Sequence, residues 1–366
     1  MKIKVLVIDD SALIRSILKE IINEQTDMMV VGAAPDPLVA REMIRSLNPD
    51  VLTLDIEMPN MNGLSFLKRL MRVRPMPVVM LSSHTQEGSD IAFRALAMGA
   101  VEFVGKPVAG ESTDDDYAQL IVEKIRGAYA ARDKIEPLDI NRAVDADEVL
   151  PMLGSAATTQ SRVIVIGAST GGAEALKDIL VTVPEDCPPI LIAQHMPGTF
   201  TKLFAKRLDG LCKITVKEAE NNEPVLPGHA YVAPGGFHLR LERFGARGYG
   251  IKIGSDAAVN LHRPSVDVLF QSAAESAGAD AIGVILTGMG KDGAQGLLSM
   301  RKAGAFTLAQ DEASCIVFGM PKEAIEIGAA EMVAPLNMIA RRIMSNLAGV
   351  GSDISNGGGG GDKTNE

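Results

Sequence analysis

A serine at the turn between a run of branched apolar residues and an amphipathic segment can act as a nucleophile. Ser169, in V-I-V-I-G-A-S-T-G-G over residues 163–172, stands at such a turn, with the helical pattern of residues 173–180 after it. Small residues on both sides let backbone and substrate come close, and the unpaired N–H groups of the next helix's first turn can hold an anion. A serine hydroxyl ionises far above neutrality, so it needs a base, and the base needs a carboxylate to fix its tautomer and steady its charge. His195 directly follows the apolar run 189–194, and Asp292, in T-G-M-G-K-D-G, follows the run 281–286. If the three runs are neighbouring strands of one parallel sheet, the three side chains meet at one edge and the chemistry is acyl transfer through a covalent serine. Plainer readings stand beside this one. The turn could be structural or bind a phosphate, although Gly167, Gly171 and Gly172 fit neither G-x-G-x-x-G, nor a P-loop, nor G-x-S-x-G. His195 could simply cap a helix, and Asp292 could shape a glycine-rich turn. His229, His238 and His262 compete for the role of base, but none directly follows an apolar run that reads as a sheet-core strand.

A second set of residues suggests different chemistry. Asp9 and Asp10 end the first strand pattern, Asp55 ends the third, Ser82 the fourth, and Lys106 follows the fifth just before Pro107. Three converging carboxylates repel one another unless a hard divalent cation neutralises them, and Mg2+ is the expected one. With the lysine and the serine hydroxyl they would cradle a phosphoryl group carried by Asp55.

The elements that must position these residues alternate regularly. Strand patterns at 2–9, 28–32, 51–55, 78–82 and 101–104 are each followed by a helical one, the first capped by Ser11 and the second by Asp36 before Pro37. Five strand–helix pairs predict a doubly wound parallel sheet, and an order 2-1-3-4-5 places the ligand crevice between strands one and three. Residues 130–160 lose this rhythm and read as a solvated connector, with a short helix possible at 145–152. After residue 161 the alternation resumes: strands at 163–166, 189–194, 281–286 and 306–309, and helices at 199–208, 266–277, 294–302, 321–327 and 338–347. Shorter strands at 213–218, 230–233, 238–243 and 249–253 are expected to form an antiparallel excursion. The expected fold class is therefore α/β with two doubly wound domains, an N-terminal (βα)5 domain and a C-terminal parallel-sheet domain carrying that excursion. Their expected bounds are 1–129 and 161–348, with a linker at 130–160 and a disordered Gly-rich tail at 349–366.

Composition narrows the function further. The 366 residues are 46% hydrophobic and 22% charged, with a net charge of −10, which argues against nucleic acid or an anionic membrane surface as main partner. No apolar run reaches membrane-spanning length and the chain opens directly into a strand pattern, so a cytoplasmic protein without membrane insertion is expected. Cys187, Cys212 and Cys315 lack metal-ligand spacing and suit a reducing compartment.

Asp9-Asp10, D-I-E-M-P-N-M-N-G over 55–63, Ser82 and Lys106-Pro107 resemble a response-regulator receiver domain. The resemblance implies phosphorylation of Asp55 by a partner histidine kinase. It implies Mg2+ held by Asp10, Asp55 and the backbone carbonyl of Glu57, with Asp9 assisting, and Phe103 moving with Ser82 on activation. In the second half, G-A-S-T-G-G, Q-H-M-P, P-G-H-A-Y-V-A-P-G, H-R-P-S-V-D-V-L-F, G-V-I-L-T-G-M-G-K-D-G and E-A-S-C-I-V-F-G-M-P resemble the chemotaxis protein-glutamate methylesterases, the CheB family. This implies hydrolysis of glutamyl methyl esters on chemoreceptors and deamidation of certain receptor glutamines, without a cofactor for the esterase step. Ser169, His195 and Asp292 would be the triad, Met289 would lie beside the oxyanion site, and Thr170 matches a hydroxyl near the nucleophile. A monomer is expected. Two other classes compete: a receiver-linked transcription factor, which would need a basic helix-turn-helix that the acidic second half lacks, and a binding-only adaptor, which has no need of the three residues at three strand ends.

Overall fold

The structure, a computed structural model, describes residues 2–58, 61–83, 85–107, 114–137, 149–154, 161–245 and 248–349. In the N-terminal domain, strands β1 (Ile3–Ile8), β2 (Met28–Ala34), β3 (Val51–Asp55), β4 (Val78–Ser82) and β5 (Glu102–Gly105) alternate with helices α1 (Ala12–Asn23), α2 (Pro37–Leu47), α3 (Gly63–Val73), α4 (Gln86–Ala97) and α5 (Asp114–Ala130). All pairings are parallel, in the order β2-β1-β3-β4-β5. Strands β3, β4 and β5 are buried on both faces and β1 nearly so, as a parallel sheet covered by helices requires, while the edge strand β2 is partly open. Ser11 caps α1 by accepting from the Ile14 N–H. Asp36 caps α2 by accepting from Leu38 and Val39, with Pro37 at the first helical position.

The C-terminal domain comprises β6 (Val163–Ala168), α6 (Gly172–Leu180), β7 (Ile190–Gln194), α7 (Gly198–Asp209), β8 (Thr215–Glu218), β9 (His229–Val232), β10 (His238–Arg243), β11 (Tyr249–Gly254), α8 (Val266–Ser276), β12 (Ala281–Ile285), α9 (Ala294–Lys302), β13 (Phe306–Gln310), α10 (Met320–Glu326), β14 (Met332–Ala334) and α11 (Leu336–Leu347). Seven strands form one parallel sheet in the order β14-β13-β12-β6-β7-β9-β8. The expected antiparallel excursion is therefore smaller than four strands. Residues 213–218 and 230–233 supply β8 and β9, which join the main sheet in parallel, and only β10 and β11 pair antiparallel. The physical reason lies in β9: Ala230 and Val232 face one core while Tyr231 faces the other, so both faces are buried and the strand belongs inside a covered sheet. The β10–β11 ribbon presses Leu239, Leu241, Tyr249 and Ile251 onto α8. Strand β14, only three residues long, was not anticipated.

Of the connector, residues 149–154 form no helix; Leu150 donates its N–H to Thr182 and packs with Leu153 on the core. Residues 145–148 of the anticipated short helix, and the Gly-rich stretch 357–361, lie outside the described residues. Among the described residues no helix is long and apolar enough to cross a membrane.

The two domains share a core. Phe103 on β5 sits 4.7 Å, centroid to centroid, from Phe200 on α7, and Phe93 on α4 stacks on Phe204 at 5.6 Å. The Arg207 guanidinium covers the Phe93 ring at 5.6 Å. Each such ring contributes about 1.5–3 kcal/mol by burial. The N-terminal domain therefore rests on the strand ends of its neighbour, a packing that the connector's composition permitted without requiring.

Candidate active site

Ser169, His195 and Asp292 each follow a strand of the C-terminal sheet, after β6, β7 and β12, which are adjacent. Strand adjacency ties them together directly: His195 donates its N–H to the Ala168 carbonyl, and Ser169 donates its own to Thr287 just past β12. All three side chains are buried. Gly288 must be glycine here, because an added Cβ would stand 2.7 Å from the Ser169 Cβ.

The imidazole and the carboxylate are joined, His195 Nε2 lying 2.9 Å from Asp292 Oδ2. Asp292 also accepts from Asn260 Nδ2 (2.8 Å), Ser265 Oγ (2.7 Å) and the N–H groups of Val266 (2.6 Å) and Asp267 (3.3 Å) at the start of α8. Burial alone would raise this carboxyl, but the bonds from His195, Asn260 and Ser265 outweigh it and hold the group well below the usual carboxylate range. An ionised Asp292 makes Nε2 the donor, which leaves His195 Nδ1 with its lone pair available as a base. Neither Nδ1 nor Ser169 Oγ finds a hydrogen-bond partner in this arrangement. Thr170, directly after Ser169, is buried, and Met289 follows Gly288, the residue packed against Ser169.

The receiver-like domain closes this site. Glu102 and Lys124 line the same cavity, about 170 Å³, as Ser169 and His195. Their side chains pair at 3.2 Å, both buried. Burial raises the Glu102 carboxyl, while Lys124 and the Thr170 hydroxyl draw it back down. A Cβ on Gly127 of α5 would meet Thr170 Oγ1 at 2.8 Å, so the helix lies close against the turn of the nucleophile. The His262 ring stacks on His195 at 3.6 Å, and its Nδ1 is 3.8 Å from Glu123 Oε2 on α5. Burial, and then the neighbouring His195, push the His262 imidazole down to about 3, so it stays neutral. The other two competitors for the base lie elsewhere: His238 is bonded to Ala257 and Ser265, and His229 to Pro227.

The second cluster is also assembled. The carboxylates of Asp9, Asp10 and Asp55 have oxygens within 4.8 Å of one another. Lys106 Nζ is 2.8 Å from Asp55 and 3.2 Å from Asp9. Burial pushes the Asp55 carboxyl up to about 6, the Lys106 bond opposing and Asp9 reinforcing it. Asp55 Oδ2 is buried without a hydrogen-bond partner, an orphaned acceptor that a divalent cation would satisfy. The Glu57 N–H binds Asp55 Oδ1, which brings the Glu57 main chain to the cluster. Ser82 is buried at the end of β4, and Phe103, at the partner edge of β5, points into the domain boundary.

Sequence reasoning missed Asn260, Ser265 and the Glu102–Lys124 pair, and weighed His262 only as a rival base, whereas its ring stacks on His195. Only Ser265 carried a local signal, as a serine directly before a helical pattern, and it is the N-cap of α8.

Comparison with known proteins agrees with both halves of this geometry. The CheB methylesterase family model matches residues 164–343, and the response regulator receiver domain model matches residues 5–115. A protein from Cupriavidus pinatubonensis named protein-glutamate methylesterase/protein-glutamine glutaminase 2 is 60% identical over 352 residues, covering 96% of this chain and 98% of the relative. One from Nitrosomonas europaea, named protein-glutamate methylesterase/protein-glutamine glutaminase, is 59% identical over the same shares. The crystal structure of the Thermotoga maritima CheB methylesterase catalytic domain is similar with 42% identity and a TM-score of 0.50, covering 51% of this chain and 98% of that one.

Proposed function

The chain belongs to the CheB methylesterase family, with a receiver domain ahead of the catalytic one, and from that premise we propose that it hydrolyses glutamyl methyl esters on chemoreceptors. Methanol would be released, and certain receptor glutamines would be deamidated at the same site. The observation that carries this reading is the ionised, fivefold-donated Asp292 holding His195 beside the buried Ser169.

The steps follow from the side chains. Ser169 Oγ attacks the ester carbonyl carbon while His195 Nδ1 takes its proton, and Asp292 steadies the imidazolium. The N–H groups of Thr170 and Met289 receive the oxyanion. Collapse breaks the C–O bond to the methoxy group, which leaves as methanol with the proton from His195; for a glutamine the leaving group is ammonia. Water, deprotonated by His195, then attacks the acyl-enzyme and returns Ser169 and a glutamate carboxylate.

The receiver supplies control. A cytoplasmic histidine kinase would phosphorylate Asp55, with Lys106 and Ser82 holding the phosphoryl oxygens. Asp9, Asp10, Asp55 and the Glu57 carbonyl would hold Mg2+, which supplies charge neutralisation. Phe103 links that centre to the catalytic domain, because its ring rests on Phe200. Reorganisation at Asp55 that frees Phe103 would lift α5, with Lys124 and Glu123, from the triad.

The test is methanol release from methylated chemoreceptor membranes by the wild-type chain and Ser169→Ala, each with and without a small phosphodonor and Mg2+. Release that requires Ser169 and rises with phosphodonor is expected. Equal release by Ser169→Ala would overturn the acyl-enzyme route, and indifference to phosphodonor would overturn the control.

A further inference from the structure

Residues 259–262 form a tight two-residue hairpin turn beside the triad. Val259 and His262 exchange both main-chain hydrogen bonds, at 2.9 and 3.1 Å, and the two residues between them have positive φ, 52° at Asn260 and 73° at Leu261. A turn of this hand favours asparagine followed by glycine. Asn260 fits, and it is anchored: its Nδ2 donates to Asp292 at 2.8 Å and to Asp267 at 2.7 Å. Leu261 does not fit, since its Cβ makes the left-handed conformation costly and glycine would be free of that strain.

Among the described residues, no packing of the side chain repays the strain. The Leu261 side chain is 72% exposed, although the receiver already covers His195 and Ser169. It stands on the wall between two open clefts, one leading to Met289 and Asp292 and the other to His195. The first cleft is lined by charges of both signs, Lys291 and Lys322 with Glu24, Glu123 and Glu323, and Lys322 is paired with Glu326 at 3.7 Å. Since Asn260 is bonded to Asp292, the position of Leu261 relative to the reacting centre is fixed.

We propose that Leu261 is a specificity-determining contact for the protein substrate: it meets an apolar side chain flanking the esterified glutamate. The inference rests on the esterase reading above. That reading requires a polypeptide to reach Ser169, and the residues on either side of the glutamate must then lie across this rim. An apolar anchor beside a catalytic cleft distinguishes a glutamate in the right sequence from any other glutamyl ester.

The experiment compares wild type, Leu261→Gly, Leu261→Asn and Leu261→Met in the full chain with phosphodonor and Mg2+. Methanol release is measured from methylated receptor membranes and from the γ-methyl ester of N-acetylglutamate, alongside thermal unfolding. The ratio of the two kcat/KM values, protein over small ester, is expected to fall roughly ten-fold for Gly and Asn, mainly through KM on the receptor, and to be kept by Met. Gly should also raise the unfolding temperature, as a merely structural leucine would not. An unchanged ratio in Leu261→Gly, or equal losses on both substrates, would overturn the assignment. No methanol from wild type on receptors would instead overturn the esterase reading itself.

Discussion

Phe103 of the receiver and Phe200 of the catalytic domain meet ring to ring at 4.7 Å, and Phe200 lies in the first turn of the helix that follows His195. The contact joins the strand beside the Asp9–Asp55–Lys106 cluster to the helix that follows His195. It also forms part of one apolar cluster with Phe93 and Phe204.

Truncating that ring should favour the open arrangement. Phe103→Ala removes a buried aromatic, worth about 3–5 kcal/mol in a core, and part of that loss falls only on the closed state. A shift of about 1.4 kcal/mol toward opening would raise methanol release without phosphodonor roughly ten-fold. The measurement is the initial rate of the unphosphorylated chain. An unchanged rate with lowered stability would mean that the ring serves only the receiver's own core.

Asp55 should make stability depend on pH and on Mg2+. Its carboxyl is raised in the fold from 3.8 to about 6, chiefly by burial. The folded state therefore holds this proton more tightly than the unfolded one, so the contribution is full below 3.8 and is lost as pH rises through 6. At neutral pH the buried charge is a penalty, and Asp55→Asn should stabilise the chain by at most about 3 kcal/mol there, with little effect near pH 4. Mg2+ should raise the unfolding temperature of wild type and much less that of the variant. Thermal unfolding at the two pH values, with and without Mg2+, checks both; a variant equally stabilised at acid pH would refute the charge argument.

Ser265 is expected to serve stability and rate together. Its Oγ donates to Asp292 at 2.7 Å and also caps α8 through the Val268 N–H. Ser265→Ala should cost about 1 kcal/mol through the cap and lower kcat roughly ten-fold by loosening the carboxylate that orients His195. KM should hardly move, because Ser265 touches no substrate. A change confined to KM would contradict this role.

The triad was legible because Ser169, His195 and Asp292 each stand just beyond an apolar strand, and parallel strands bring such ends to one edge. Asp9, Asp55, Ser82 and Lys106 were legible for the same reason. Asn260 and His262 were not, since a tight turn reaches Asp292 and His195 only through tertiary packing that no local period encodes. Strands β8 and β9 were misassigned because short alternating runs between turn signals look alike in parallel and antiparallel sheets, and what distinguishes them is the second buried face. Glu102 read simply as part of a strand, although its place between Lys124 and Thr170 depends on how two domains meet.

That last pair yields the sharpest stability test. Lys124 and Glu102 are both buried and 3.2 Å apart, at the wall of the cavity that holds Ser169. Removing one partner leaves the other charge buried and unpaired, which costs about 3–5 kcal/mol, whereas replacing both with apolar residues of similar volume is about neutral. Lys124→Met should therefore destabilise the chain strongly, and Lys124→Met with Glu102→Leu should recover most of the loss. The double variant also removes the charged pair from the wall of the cavity that holds Ser169, so closure is altered and release without phosphodonor should rise. Denaturant unfolding of the two single variants and the double one, read as a cycle, separates these effects. Additive losses would mean that the two groups do not stabilise one another, and a recovered stability without a raised basal rate would confine the pair to the receiver's own fold.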